Sequence, residues 1–170
     1  MAIWKKIATI DDIPSNTNGE SSYVSGDITN DWGGSDYSAL NAAGKCYGES
    51  IQVGTAISFT AGKIYALTPS GWTIASQTTA SHGKYLLAVA TGTTTNAFPS
   101  NGMLIKGIIR LNTISGTDIK GSLLYLNTLG NATASVPTSS GAIVRPIGYS
   151  VDPTYHAVYF NPDTTWVELS

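Results

Sequence analysis

Residues 62–76 read GKIYALTPSGWTIAS, and residues 121–135 read GSLLYLNTLGNATAS. In both stretches a glycine opens a run of apolar and aromatic residues, and a second glycine follows nine residues after the first. Aromatic and β-branched residues favour strands, and glycine marks turns. Each stretch therefore predicts a strand, a turn and a second short strand.

Short apolar runs bounded by Gly, Pro, Asn or Asp continue along the rest of the chain. They occupy residues 57–59, 85–90, 103–111, 143–144 and 147–151. An average helix needs about 11–12 residues, and Gly and Pro leave almost no window of that length with a helix-forming composition. The sequence therefore predicts an all-β fold, a sandwich or barrel of short antiparallel strands. We expect Leu67 and Leu86 to lie in its core.

The two quoted stretches belong to a weak internal repeat that covers about 61–107 and 120–160. About 20 residues after the tyrosine of each stretch comes a second apolar run, at 86–90 and at 146–150. Four separate features keep one offset of about 60 residues. The repeat therefore predicts two related β-halves packed face to face.

The end of the chain predicts a closing hairpin. Residues 155–160 (YHAVYF) alternate, so that His156, Val158 and Phe160 share one face of a strand. Asn, Pro and Asp at 161–163 have the chemistry of a turn, and residues 164–169 return as a second strand. In this interpretation His156 is a cross-strand partner.

Composition limits the classes of partner. The chain has 170 residues, of which 42% are hydrophobic and only 12% are charged, with 21 Thr and 19 Ser and a net charge of −2. Scattered charges of both signs predict no nucleic-acid partner. No apolar stretch approaches the roughly 18 residues of a membrane span, and the N-terminus lacks the apolar segment of a secretory signal. We expect no membrane partner and assembly on the cytosolic side.

The polarity of the chain changes near residue 50. Residues 11–50 are rich in Asp, Asn, Ser and Gly and have few aliphatic side chains to bury. Such a segment is ordered by packing on something else. We therefore predict an extended N-terminal attachment arm over 1–50 and an independently folding β-domain over 51–170. Apolar anchors for the arm and for subunit interfaces are predicted at Ile3, Trp4, Ile7, Trp72 and Trp166.

Candidate catalytic groups are few. Cys46, the single cysteine, has no supporting pattern with His82 or His156, and two histidines make a poor metal set. The acids of the β-domain, Asp118, Asp152 and Asp163 in or next to turns and Glu168 in a strand, show no catalytic pairing. We predict no catalytic residue, no cofactor and no metal. A cation in the loop that carries Asp27, Asp31 and Asp36 is the one alternative that stays open.

Several of these segments resemble structural proteins of tailed bacteriophages. WKKI at 4–7 resembles the start of such proteins, and the β-domain resembles modules of tail fibres and head decoration proteins. The matching pieces are AGKIY at 61–65, GMLIKG at 102–107, GSLLY at 121–125, RPIGY at 145–149 and FNPD at 160–163. The resemblance implies a virion component that is oligomeric, often trimeric, and has no cofactor.

Three functions are compatible with these features of the sequence. The first is a non-enzymatic virion structural protein, a short appendage, a fibre-associated component or a capsid-surface component, whose arm docks on other virion proteins. The second is a carbohydrate-binding module for host-surface glycans, which an exposed aromatic platform beside Asn or Asp would favour. The third, a glycan-degrading enzyme, requires a cleft with two paired carboxylates.

Overall fold

The computed structural model describes residues 37, 40–53, 58–93 and 102–170. Within these residues the backbone forms twelve β-strands and three one-turn 3-10 helices. The strands are β1 (Cys46–Gln52), β2 (Ile64–Thr68), β3 (Gly71–Ile74), β4 (Leu87–Ala90), β5 (Gly102–Arg110), β6 (Ile114–Ser115), β7 (Leu123–Leu126), β8 (Ala132–Thr133), β9 (Ile143–Val144), β10 (Pro146–Asp152), β11 (Ala157–Phe160) and β12 (Val167–Glu168). The 3-10 helices are Ala80–Gly83, Thr128–Gly130 and Pro153–Tyr155. The predicted all-β fold is confirmed.

The strand β5 is shared between two parts of one curled sheet. One edge of β5 pairs with β1 along nearly its whole length, from Gly102 to Ile109. The other edge pairs first with β4, at Met103 and Leu104, and then with β11, from Gly107 to Arg110. The first part continues from β4 through β2 to β3, and the second continues from β11 through β10, β7 and β8 to β6. The whole is a half-barrel.

Two facing glycines allow the β1–β5 ribbon to bend between these parts. Gly48 lies opposite Gly107, and their φ angles are +149° and +142°. A β-carbon on Gly107 would stand 2.2 Å from the carbonyl oxygen of Tyr47. The pairing also shifts register between Glu49 and Ser50. Glycine kinks and bulges of this kind introduce curvature into sheets.

The pairing pattern of the first part recurs in the second. In the first, β2 pairs with β3 and β4, and β4 pairs with β5; in the second, β7 pairs with β8 and β10, and β10 pairs with β11. The β2–β3 pair of the first part also contacts the β7–β8 pair of the second part through residues next to these strands. The Lys63 ammonium donates to the Asn131 side-chain oxygen, and the Gly130 N–H donates to the Ala75 carbonyl at 2.7 Å.

The main core lies inside the curled sheet and draws on both parts. Its largest fully buried side chains include Ile64, Leu104, Leu124, Ile147 and Phe160. Two smaller clusters lie on the opposite face of the sheet. The cluster beside β2 and β4 is formed by Val53, Phe59, Tyr65, Ala88, Ala90 and Met103, and the cluster beside β11 by Tyr37, Leu40 and Ala157.

Two residues expected in the core are exposed instead. Leu67 is 40% exposed and Leu86 is 46% exposed, and the Leu67 N–H donates to the Leu86 carbonyl. In a strand, successive side chains point to opposite faces. Ala66 faces the core at this level, so its neighbour Leu67 points outwards.

The domain boundary predicted after residue 50 falls inside β1. The compact unit that contains the sheet begins at Tyr37. Leu40 is almost completely buried, and its carbonyl accepts a hydrogen bond from the Arg110 guanidinium at 3.0 Å. Residues 37 and 40–50 therefore belong to the β-unit by contact, although their composition resembles that of the preceding segment.

The predicted closing hairpin is wrong. After β11 the chain continues beside β10, because the N–H groups of Asn161 and Asp163 donate to the carbonyls of Ile147 and Pro146. The return strand β12 then pairs with β9 in a separate two-stranded sheet.

His156 is not a cross-strand partner. It has a left-handed backbone, with φ of +50°, and ends the 3-10 helix Pro153–Tyr155. Its carbonyl accepts the Leu111 N–H. The residue therefore forms a corner that leads into β11.

Candidate functional site

Cys46 and His82 have structural environments. Burial raises the pKa of the Cys46 thiol to about 11, so the thiol stays protonated at neutral pH. His82 is buried in the 3-10 helix Ala80–Gly83, and its Nδ1 accepts the Ser76 N–H at 3.0 Å. Burial lowers the pKa of His82, so this imidazole is neutral and acts as an acceptor.

Two aspartates of the sheet region form hydrogen bonds within their own turns. Asp152 accepts the Thr154 N–H and Asp163 accepts the Thr165 N–H, each at 2.8 Å. Among the described residues, no three His, Cys, Asp or Glu side chains form a group that could hold a metal ion. The loop with Asp27, Asp31 and Asp36 lies outside the described residues. None of the described helices is long and apolar enough to cross a membrane.

The predicted anchor residues are separated by the fold. Ile3, Trp4 and Ile7 lie outside the described residues. Trp72 lies on β3 and packs, partly buried, against the cluster that contains Phe59 and Tyr65. Trp166 precedes β12 and packs against the main core, next to Gly83. Both tryptophans therefore contact their own subunit on different sides, and their roles at subunit interfaces stay predictions.

A buried arginine organises the end of the sheet near Trp166. Arg145 is only 5% exposed, and its Nη1 donates to the carbonyls of His82, Gly83 and Tyr85 at 3.2, 2.9 and 2.6 Å. Its Nε donates to the carbonyl of Asp163 at 3.0 Å. The guanidinium thus ties the turn after β11 to the 3-10 helix, which fixes the position of that turn.

A row of apolar side chains crosses the outer face of five adjacent strands. In each pair of neighbouring strands the register brings two members of the row directly opposite each other. The row consists of Tyr47 on β1, Ile108 on β5, Tyr159 on β11, Tyr149 on β10 and Leu123 on β7. Tyr47 is 45% exposed and Tyr149 is 51% exposed, and the other three are partly exposed. We call these five residues the outer row.

An open groove lies at the Tyr149 end of the outer row. It has a volume of about 450 Å³. Its lining comes from β10, from Leu123 on β7 and from the turn 161–164. The complete lining is Leu123, Pro146, Gly148, Tyr149, Asn161, Pro162, Asp163 and Thr164. The groove therefore combines an exposed aromatic ring with amide, carboxylate and hydroxyl groups, and it is the candidate functional site.

The sequence alone does not reveal this groove. Its residues come from two separate segments, the apolar run at 147–151 and the turn at 161–163, whose local patterns predict a core strand and a hairpin turn. Tyr149 and Asn161 come together because the turn stays bonded to β10 instead of reversing the chain. To predict the groove, one would have to know that residues 161–163 pair with β10, and the local sequence does not specify this pairing.

Comparisons of the chain with protein-family models, with curated proteins and with solved structures found no match.

Proposed function

We propose that this chain is a non-enzymatic structural protein of a tailed-bacteriophage virion, a short appendage, a fibre-associated component or a capsid-surface component that displays a binding face. The observation that carries the proposal is the outer row, which has exposed tyrosines at Tyr47 and Tyr149 on a sheet whose opposite face is the buried core. Between them Ile108 packs against the cluster of Tyr37, Leu40 and Ala157. The groove beside Tyr149 gives the outer row a polar end. A surface of this kind is built for contact rather than for bond-breaking chemistry.

The resemblance of segments such as GMLIKG and FNPD to tail-fibre and decoration modules supports the setting in a virion. The composition agrees with it, because a chain with 12% charged residues suits a partner's surface better than free solution. In this proposal the protein forms a homo-oligomer, a trimer by the resemblance. Ile3, Trp4, Ile7, Trp72 and Trp166 make the contacts between subunits and with other virion proteins.

The carbohydrate-binding module is the second candidate function, and a specific observation favours it. The exposed Tyr149 ring beside Asn161 and Asp163 is the aromatic platform with polar neighbours that this function requires. Both candidates use the same groove, so the two differ in where the protein is attached and not in what its outer face does.

The proposal is tested by incorporation into particles. Mass spectrometry of gradient-purified phage particles should detect the wild-type chain, and light scattering should give an oligomeric mass. Removing a central interface tryptophan commonly costs about 2 kcal/mol or more, so Trp4→Ala should reduce co-sedimentation with particles roughly thirtyfold. Tyr149→Ala is the matched control, since the removed ring belongs to the displayed face and should leave incorporation unchanged.

Two results would contradict this assignment. If the wild-type protein is monomeric at high concentration and absent from particles, the proposed virion role is wrong. If the Trp4→Ala protein is incorporated normally, the proposed attachment through the N-terminal arm is wrong.

A further inference from the structure

We propose that the groove between Tyr149 and the turn 161–164 binds a neutral saccharide. This inference rests on the proposed role of the outer face as a binding surface, and it names the ligand class and the residues that hold it. The Tyr149 ring supplies the apolar platform, and Asn161, Asp163 and Thr164 supply hydrogen-bonding groups for hydroxyls.

The backbone that carries the platform is paired on both edges. Tyr149 lies between Tyr159 and Leu123, with which it is paired directly on neighbouring strands. Beneath this row Phe160 lies opposite Gly148 and is completely buried. Half of the Tyr149 surface remains exposed although the strand is fixed on both edges. A pyranose ring presents an apolar face of C–H groups, and such faces pack against aromatic rings because both surfaces leave water.

The polar side of the groove is also fixed before any ligand arrives. The N–H groups of Asn161 and Asp163 donate to carbonyls of β10 at 2.9 and 3.1 Å. The buried Arg145 holds the carbonyl of Asp163, and the Asp163 carboxylate accepts the Thr165 N–H. Preorganised polar groups lower the entropy lost when a ligand binds.

The groups that remain available match sugar hydroxyls. Within the described part of the chain, the amide of Asn161 makes no side-chain hydrogen bond, so it offers both a donor and an acceptor. The carboxylate of Asp163 is fully exposed and accepts from hydroxyls, and the hydrogen bond from the Thr165 N–H lowers its pKa, which keeps it charged. The Thr164 hydroxyl is exposed beside them.

The charges favour a neutral ligand over an anionic one. No lysine or arginine is among the described residues that line the groove, whereas one carboxylate is. The nearest guanidinium, that of Arg145, is buried and directed at four backbone carbonyls. A phosphate or a sialic acid would therefore meet the Asp163 charge with no exposed cation to balance it.

The experiment titrates the full-length, isotope-labelled protein with glucose, galactose, mannose and N-acetylglucosamine, each up to tens of millimolar, and follows amide shifts by NMR. For at least one sugar we expect saturable shifts confined to residues 146–149 and 161–164. Tyr149→Ala and Asn161→Ala should each weaken that binding by about tenfold, which corresponds to about 1.4 kcal/mol. Tyr47→Ala is the matched control, because Tyr47 is a similarly exposed tyrosine at the other end of the outer row.

The outcomes separate this inference from the proposed function. No saturable shift with any of the four sugars, or equal binding by the wild-type and Tyr149→Ala proteins with unchanged melting temperatures, overturns the saccharide site. The particle assay is independent of the sugar titration. If the protein is present in particles but binds no sugar, the virion role stands and the saccharide site is wrong. If the protein binds sugar but is absent from particles, the saccharide site stands and the second candidate function is favoured.

Discussion

Trp166 lies against Gly83 so closely that a β-carbon on residue 83 would stand 2.5 Å from the Cδ2 atom of the indole. This contact joins the segment before β12 to the 3-10 helix Ala80–Gly83, whose carbonyls are also held by Arg145. The indole of Trp166 therefore packs directly on the backbone of this 3-10 helix, in addition to the pairing of β12 with β9.

Gly83→Ala should destabilise the protein by about 1–3 kcal/mol, the usual effect of forcing a methyl group into a packed site. The measurement is denaturant unfolding. In the Trp166→Ala background the new methyl group meets no ring, so the same substitution should have little further effect. If the losses of unfolding free energy caused by Gly83→Ala and Trp166→Ala simply add in the double variant, the contact between these two residues is not the cause of the destabilisation.

Stability should fall as the pH falls below about 6.5, the usual histidine value. The folded state keeps His82 neutral, because burial lowers its pKa, whereas the unfolded chain takes up a proton. The contribution of neutral His82 to the free energy of unfolding is complete at pH values above the pKa of this histidine in the unfolded chain. It is lost as the pH falls through the lower pKa of the folded state, with a slope of at most about 1.4 kcal/mol per pH unit. His82→Asn retains an acceptor for the Ser76 N–H and cannot titrate, so its stability should change less with pH over this range. An unchanged pH profile in this variant would exclude His82 as the cause.

Gly148→Ala should prevent folding. Its φ is +141°, and a β-carbon there would stand 1.9 Å from the Tyr159 carbonyl oxygen, so β10 and β11 could not pair. We expect a loss of more than about 4 kcal/mol, in the range that unfolds marginally stable domains. Gly141→Ala is the matched control: its φ is +76° but nothing lies within 4 Å of the added atom. It should lose only the roughly 1–2 kcal/mol of a left-handed backbone, and equal melting temperatures for the two variants would contradict the steric argument.

A chain that begins at Tyr37 should melt like the full-length protein, and one that begins at residue 51 should not fold cooperatively. The shorter chain loses most of β1 and leaves one edge of β5 unpaired from Leu104 to Ile109. Circular dichroism and limited proteolysis distinguish the two cases. A cooperative transition of the 51–170 chain near the wild-type temperature would show that β1 is dispensable and that the boundary predicted from composition is the functional one.

The sequence predicts those features of this fold that are local. The runs at 85–90 and 103–111 lie at β4 and β5, because alternating or continuous apolar residues between turn residues leave few alternatives. Asn, Pro and Asp at 161–163 mark the end of β11, but the chain does not reverse there and stays bonded to β10. The partner of β12 is not predicted, since Val167 pairs with Val144 through long-range packing around Trp166 that no local pattern encodes.

The candidate site depends on register, which is the least local property of a sheet. Tyr47, Tyr159 and Tyr149 form one row only because β1, β5, β11 and β10 are aligned to the residue, and a shift of one position would turn each ring to the other face. The alternation of residues 155–160 predicted that Tyr159 and Phe160 face opposite ways. It could not predict which residues would lie beside Tyr159.

The shared β1–β5 ribbon also sets an order of events during synthesis. Gln52 and Gly102 form its nearest pair along the chain, 50 residues apart. At roughly 5–20 residues per second on the ribosome, β1 waits about 3–10 s for the first residue of its partner. Throughout that interval the edge of β1 has no β5 to pair with. The strands β2, β3 and β4 lie between the two halves of the ribbon in the chain, so all three are synthesised before the ribbon can close.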